Sequence, residues 1–272
     1  VCCFIVQRCL LSARRNENGA RRPHYQVTIT TESALFATRG VLIGHGLLGD
    51  VGCCQHQLDH TLFQYRTLNL LQLLLVAVKV APHFLRLLIL LGDLFEGHGQ
   101  FQDDLLPVLD RLSAPLGVWA VLGNHESYGG RDSSVSIIRE AGFGLLRNSW
   151  AQIQPGLVLA GVDYVSSKHG NTQSDHFPAK AFAGPPSGAT IFLSHAPQHG
   201  NQAAAAGVGL MLSGHTHGGQ VWPFDYLVRS RYSLLEGRYE VNGMTVIVCR
   251  GTGTWGPRMR LWHPGEILHI TL

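Results

Sequence analysis

A chain of 272 residues, 45% of them hydrophobic and 14% charged, has the length and composition to bury one large core. Its formal net charge of +3 originates in residues 1–92, where nine basic side chains stand against four acidic ones; residues 93–272 carry twelve against fourteen. So small and scattered an excess excludes the basic face of a nucleic-acid binder, and no specific nucleic-acid partner is expected.

From the N-terminal end, Val1 to Ala13 is largely apolar, and Arg14 and Arg15 follow it. A secretory leader places its positive charge first, so no clean signal peptide is expected, and the chain is assigned to the cytoplasm or to a membrane surface. Residues 14–22 read as a solvated loop, and Val27–Thr30 and Gly40–Gly44 as strands. Cys2, Cys3, Cys9, Cys53 and Cys54 fall early, with only Cys249 later. Adjacent cysteines lack the spacing of a zinc site, and a core of this size needs no disulfide framework. Leu68 to Val80 is apolar on nearly every face, which predicts a buried helix. The apolar run continues to Leu91, but Lys79, Pro82, His83 and Arg86 interrupt it, which favours a buried helix and strand over a membrane span.

From Leu87 the pattern is regular. Leu87–Leu91 reads as a buried strand ending at Gly92-Asp93. Phe101, Leu105, Leu109 and Leu112 have helical spacing, and Pro115 and Gly117 close that helix. Val118–Leu122 is a second strand, ending at Gly123-Asn124-His125-Glu126. A helix from Ser133 to Ala141 stops at Gly142; Gly144–Leu146 and Leu157–Val162 follow as strands. Ala189–Leu193 runs into Ser194-His195-Ala196-Pro197, and a short helix, Asn201–Ala206, precedes the strand Gly209–Ser213. That strand leads into Gly214-His215-Thr216-His217-Gly218-Gly219-Gln220. In the tail, Asn242-Gly243 between Arg238–Val241 and Met244–Val248 signals a type I′ hairpin, and Glu266–Leu272 is a last strand.

Strands alternating with helices predict a sheet with helices on its faces, and ligands bind beyond the strand ends of such sheets. Asp93, Asn124-His125, His195 and His215/His217 all stand at strand ends and therefore converge. Each alone has an ordinary explanation, such as a capping aspartate or a polar turn; together they form a mixed nitrogen and oxygen donor set for divalent metals. Two ions about 3.5–4 Å apart clamp the attacking and leaving oxygens of a phosphoryl displacement and give a metal-bound hydroxide near neutral pH. His125, next to Asn124, is placed to protonate a leaving alkoxide. His98, His169, His176 and His199 read as solvated loop residues, Trp119 and Trp222 as core or pocket wall, and Cys249 as inert.

Gly92-Asp93, Gly123-Asn124-His125-Glu126, Ser194-His195-Ala196-Pro197 and Gly214-His215-Thr216-His217 resemble four of the five motifs of the calcineurin-like metallophosphoesterases. Gly214–Gln220 and Arg250–Gly256 resemble the bacterial, membrane-associated YkuE-like branch. The resemblance implies a four-layer α/β/β/α sandwich with mixed sheets. It implies a phosphatase or phosphodiesterase whose partner is a phosphate mono- or diester, with peripheral membrane association. It further implies that Asp93 bridges two metals, that Asn124, His195 and His215 complete one site, and that His217 serves the other. His125 would donate the proton or bind phosphate, and Arg250, Gly251 and Gly253 would stand at the substrate pocket. The ions would be Mn, Fe, Zn or Ni, two of them or only one.

The family opens with Asp-x-His, and no Asp-x-His precedes Asp93. The domain is therefore expected over 87–272, incomplete at its start, behind an atypical region 1–86. That region reads as frame-shifted or poorly ordered, or as a natural divergence in which His45 or Asp50 substitutes. The alternative to an active enzyme is an impaired remnant that holds one metal or a phosphate.

Overall fold

The computed structural model describes residues 86–95, 102–127, 131–164, 179–184, 187–256 and 258–271, together with the backbone of four earlier strands. Those are β1 (Cys3–Arg8), β2 (Ser12–Arg15), β3 (Arg21–His24) and β4 (Thr28–Ser33). Then come β5 (Leu87–Leu90), α1 (Gln102–Leu109), β6 (Val118–Ala120), α2 (Arg131–Glu140), β7 (Gly144–Leu145), β8 (Ser149–Gln154) and β9 (Leu157–Gly161). The chain closes with β10 (Ala189–Leu193), α3 (Gly200–Ala205), β11 (Leu210–Ser213), α4 (Asp225–Arg231), β12 (Gly237–Val241), β13 (Met244–Val248) and β14 (Glu266–Thr271).

Two six-stranded mixed sheets result, ordered β4-β14-β1-β5-β6-β7 and β12-β13-β11-β10-β9-β8. The apolar runs at their centres explain the layering. In β5, Leu87 and Ile89 point into a cluster shared with Leu159, Ile191, Leu212 and Ile247 of the second sheet. Leu88 and Leu90 point the other way, against Leu105 and Leu109 of α1 and Ile138 of α2. The second sheet repeats this: Phe192, Met211 and Val246 meet Ala203 of α3 and Ala181. Strands buried on both faces need no alternation of polar residues, which is why they read as continuous runs. Each fully buried Leu or Ile contributes about 1.5–3 kcal/mol, and all four residues of β5 are buried. The fold is thus the expected four-layer α/β/β/α arrangement with mixed sheets.

Local chemistry sets the ends. The chain reverses after α2 through Gly142 (φ 72°), with Gly142 N–H donating to Arg139 C=O and Phe143 N–H to Ile138 C=O. This is the paired closure that glycine permits. α1 ends short of Leu112, and the chain continues to it in tighter turns. Asn242 and Gly243 both have positive φ, as a type I′ turn requires.

Some elements depart from expectation. β2 and β3 pair antiparallel and overlap both ends of the stretch 14–22 that reads as a loop. β1 and β4 stand in the first sheet, with β1 between β14 and β5. β8 and α4 have no strong apolar period because β8 has no fully buried residue and α4 buries none of its side chains. Trp119 leans half-buried on the core, whereas Trp222 is not core: it is 47% exposed beside Trp262. The strand expected at Gly40–Gly44, the helix at Leu68–Val80, and His98, His169 and His176 lie outside the described residues. Among the described residues no helix is long and apolar enough to cross a membrane.

Candidate metal centre

β5 delivers Asp93, β6 delivers Asn124 and His125, β10 delivers His195, and β11 delivers His215 and His217. Two glycines let the first two strand ends touch. A side chain at Gly92 (φ 80°) would run into the backbone of Gly123, and one at Gly123 would meet the Asp93 carboxylate and the His195 ring. Three of the residues expected as ligands are held in the left-handed region: Asp93 at φ 53°, His215 at φ 70° and His217 at φ 53°. Each such non-glycine residue costs on the order of 1–3 kcal/mol and persists only where surrounding structure enforces it.

Glu126 supplies part of that enforcement. It is fully buried at the start of a 3-10 turn, His125–Ser127. Its Oε2 accepts from Asp93 N–H (2.9 Å) and Gly123 N–H (2.6 Å), and its Oε1 from Leu94 N–H (2.6 Å) and Phe95 N–H (3.1 Å). Four backbone donors satisfy one buried carboxylate and lock the two loops together. Asp93 Oδ1 in turn accepts from His125 N–H at 3.0 Å.

His195, 1% exposed, joins the two sheets. Its Nδ1 lies 2.6 Å from the Leu91 carbonyl, which can only accept, so Nδ1 carries the proton. Nε2 then faces Asn124 Oδ1 (3.0 Å), His215 Nδ1 (3.0 Å) and Asp93 Oδ2 (3.2 Å). Two oxygen acceptors and a second ring nitrogen surround one nitrogen. A single proton on Nε2 can satisfy one of them, whereas a cation at their centre satisfies all four groups. The donor atoms of Asp93, His195 and His215 lie within 4.8 Å of one another, and the set suits a divalent transition metal. The Leu91 contact is also the outer hydrogen bond that a ligating histidine normally makes.

Electrostatics favour the lone-pair forms of His215 and Asp93, while a proton that His195 Nε2 shares with Asp93 would have to leave before an ion bound there. Burial pushes the His215 pKa down to about 4, helped by the neighbouring His195. For Asp93, burial works against ionisation, but attraction to and a hydrogen bond from His195 outweigh it and hold the carboxyl well below its usual range. Tyr164 packs against both rings, at 5.5 Å from His195 and 5.3 Å from His215, and Tyr232 lies 5.3 Å from His215.

The structure thus brings Asp93, Asn124, His195 and His215 to one point, with His125 half-buried beside them. His217 has a different neighbour. Its Nδ1 lies 3.2 Å from the Arg260 guanidinium, which only donates, so Nδ1 accepts and the ring proton sits on Nε2. Burial and the Arg260 charge both lower the His217 pKa, consistent with a neutral ring. Arg260 also donates to the carbonyls of His217, Arg250, Gly253 and His263, tying the tail to the ligand loop. Arg250 pairs with Glu266 at 2.6 Å and with Glu236 at 3.6 Å. The carbonyls of Gly251 and Gly253 accept from Glu266 N–H and from Arg260 respectively.

Sequence reasoning singled out neither Glu126 nor Arg260, Tyr164 or Tyr232. Tyr164 stands just beyond the end of β9, a strand end like the others, and that position was its signal. Arg260 sits in an irregular stretch and gave none.

Comparison with known proteins agrees with this geometry. A sequence model of the calcineurin-like phosphoesterases matches residues 46–219, beginning ahead of the boundary expected at 87. An uncharacterized metallophosphoesterase of Aquifex aeolicus is 35% identical, over 68% of this chain and 72% of its own length. One from Helicobacter pylori is 34% identical over 66% of this chain, which spans only 49% of that relative. The uncharacterized metallophosphoesterase YkuE of Bacillus subtilis is 27% identical over 79% of this chain and 76% of its own length. The chain belongs to the calcineurin-like phosphoesterase family.

Proposed function

We propose that the chain hydrolyses phosphate mono- or diesters with divalent metal, one of Mn, Fe, Zn or Ni, held by Asp93, Asn124, His195 and His215. The observation that carries this is the convergence of their lone pairs on one point, with Asn124, His215 and Asp93 at 3.0, 3.0 and 3.2 Å from His195 Nε2. When bound, the ion supplies the Lewis acidity that polarises a phosphoryl oxygen and activates water. The protein groups do the rest. Asp93 stays ionised and His215 stays neutral at neutral pH, so no proton need leave them before loading. His125 delivers the proton to the departing alkoxide. Arg250, with the adjoining backbone of Gly251 and Gly253, borders the phosphoryl group, its guanidinium aimed by Glu266 and Glu236. Association with a membrane surface belongs to the same reading.

A second reading is favoured by one observation, the occupation of His217 Nδ1 by Arg260, together with the lack of Asp-x-His upstream of Asp93. In it the chain binds one ion and is catalytically impaired. Metal analysis with hydrolysis of an aryl phosphodiester separates them. Two ions per chain and turnover lost in Asp93→Asn support the enzyme; one ion without turnover supports the remnant, and no ion at all refutes both. We propose further that the frame shift expected ahead of 87 is confined to residues ahead of 46, where the family match begins, and an uninterrupted reading frame on resequencing would refute it.

A further inference from the structure

His195 and His217 both stand beyond strand ends at the centre, but their Nδ1 atoms meet opposite partners. His195 Nδ1 faces the Leu91 carbonyl, so its proton points away from the donor cluster and Nε2 turns toward it. A ligating imidazole has that arrangement. His217 Nδ1 faces the Arg260 guanidinium at 3.2 Å, which has no lone pair to offer. An ion on His217 Nε2 would drive the ring proton onto Nδ1. There it would meet another donor and a positive charge, with no acceptor between them.

Arg260 is held too firmly to step aside. Its Nε donates to Gly253 C=O, its Nη1 to the carbonyls of His217 and His263, and its Nη2 to those of Arg250 and Gly253. With its N–H groups spent on carbonyls, the guanidinium acts on the centre through His217. The His217 ring is half-buried, and among the described residues no group accepts from its Nε2. The charges of Asp93 and His215 both act on that ring, so it stands at the edge of the donor cluster. A second ion is short of other ligands as well, since no Asp-x-His precedes Asp93.

We propose that His217 is a hydrogen-bond donor to the phosphoryl group and not a metal ligand, with Arg260 the positioning residue that keeps the proton on Nε2, and that the centre holds a single ion. The inference rests on the phosphoesterase reading for its substrate. It differs from the impaired remnant in giving His217 an N–H to offer where a second ion would stand.

Zinc titration, followed by titration of the loaded protein with inorganic phosphate, tests it. Wild-type protein should take up one zinc per chain. His217→Asn should bind zinc equally well, because asparagine tolerates the φ of 53° and keeps an acceptor for Arg260. Phosphate should bind that variant at least about tenfold more weakly, the loss of one N–H to a charged oxygen. His217→Gln, whose NH2 reaches about as far as Nε2, should bring phosphate affinity back to within about threefold. Nitrogen NMR of the imidazole rings reads the tautomer without any turnover. His217 should keep its proton on Nε2 in zinc-loaded wild-type protein and in Arg260→Lys, which still donates; Arg260→Met should let the proton move to Nδ1. Two zinc ions per wild-type chain, zinc affinity at least about tenfold lower in His217→Asn, or an Nδ1 proton in the loaded protein makes His217 a ligand. Each of these overturns the inference and leaves the phosphoesterase reading standing. Phosphate affinity unchanged in His217→Asn overturns the donor role. Wild-type protein that takes up no zinc at all overturns the phosphoesterase reading, and the inference with it.

Discussion

Replacing Glu126 by glutamine keeps the shape of the side chain and removes its charge. Whichever way the amide settles, its NH2 faces two backbone N–H groups: Asp93 and Gly123 on one side, or Leu94 and Phe95 on the other. Two buried donors then lack an acceptor, at about 1–3 kcal/mol each. The sum, about 2–6 kcal/mol, is a large share of the roughly 5–15 kcal/mol that holds a domain together. At about 2–4 °C per kcal/mol, the metal-free protein should melt some 5–20 °C lower. Divalent metal affinity should fall about ten- to a hundredfold, because the loops that aim Asp93 and Asn124 are no longer stitched. Calorimetry of chelated protein and a competition titration with zinc measure the two effects. Glu140→Gln is the control: that carboxylate is exposed and, among the described residues, bonds Ser136 at 3.0 Å, so the change should stay within about 0.5 kcal/mol. A Glu126→Gln protein with wild-type melting temperature and metal affinity would refute the argument that this carboxylate holds the site together.

Other outcomes follow from the same contacts. His215 has its pKa lowered to about 4 in the fold against 6.5 when unfolded, so the unfolded chain binds the extra proton between those values. Stability of the metal-free protein should therefore fall by about 3 kcal/mol as pH drops from 7 to 4, and His215→Asn should flatten that slope in chemical denaturation. Gly92→Ala forces a side chain into Gly123 at φ 80°, whereas Gly142→Ala at φ 72° meets nothing within 4 Å. The first should lose several kcal/mol and the second only about 1 kcal/mol, and similar melting temperatures would contradict the packing described. Arg260→Met removes the donor to His217 and to four carbonyls, counting Gly251 at 3.4 Å and leaving aside that of His217 itself. It should cost about 2–4 kcal/mol in denaturant unfolding, and an unchanged midpoint would show that the tail is anchored elsewhere.

Much of the centre was legible because its strands are apolar on both faces. β5, β10 and β11 could bury nothing else, so each polar residue at their ends had to mark a sheet edge. The supports were not legible. Glu126 closes a motif but shows no role in it, because three of its four partners are backbone N–H groups more than thirty positions away, for which no side-chain pattern exists. Arg260 binds carbonyls, which every residue carries. α4 buries no side chain, so it shows no period to detect.

The Leu91–His195 contact has a further consequence. One partner hangs from the first sheet and the other from the second, and the donor set takes Asp93 and Asn124 from one layer, His195 and His215 from the other. A bound ion is then a rivet through the sandwich: the layers cannot slide or part without releasing it. Loading should stiffen the whole body, by about 2.7 kcal/mol at a hundredfold excess of free ion over its dissociation constant. Thermal resistance would then gauge how much metal the surroundings supply.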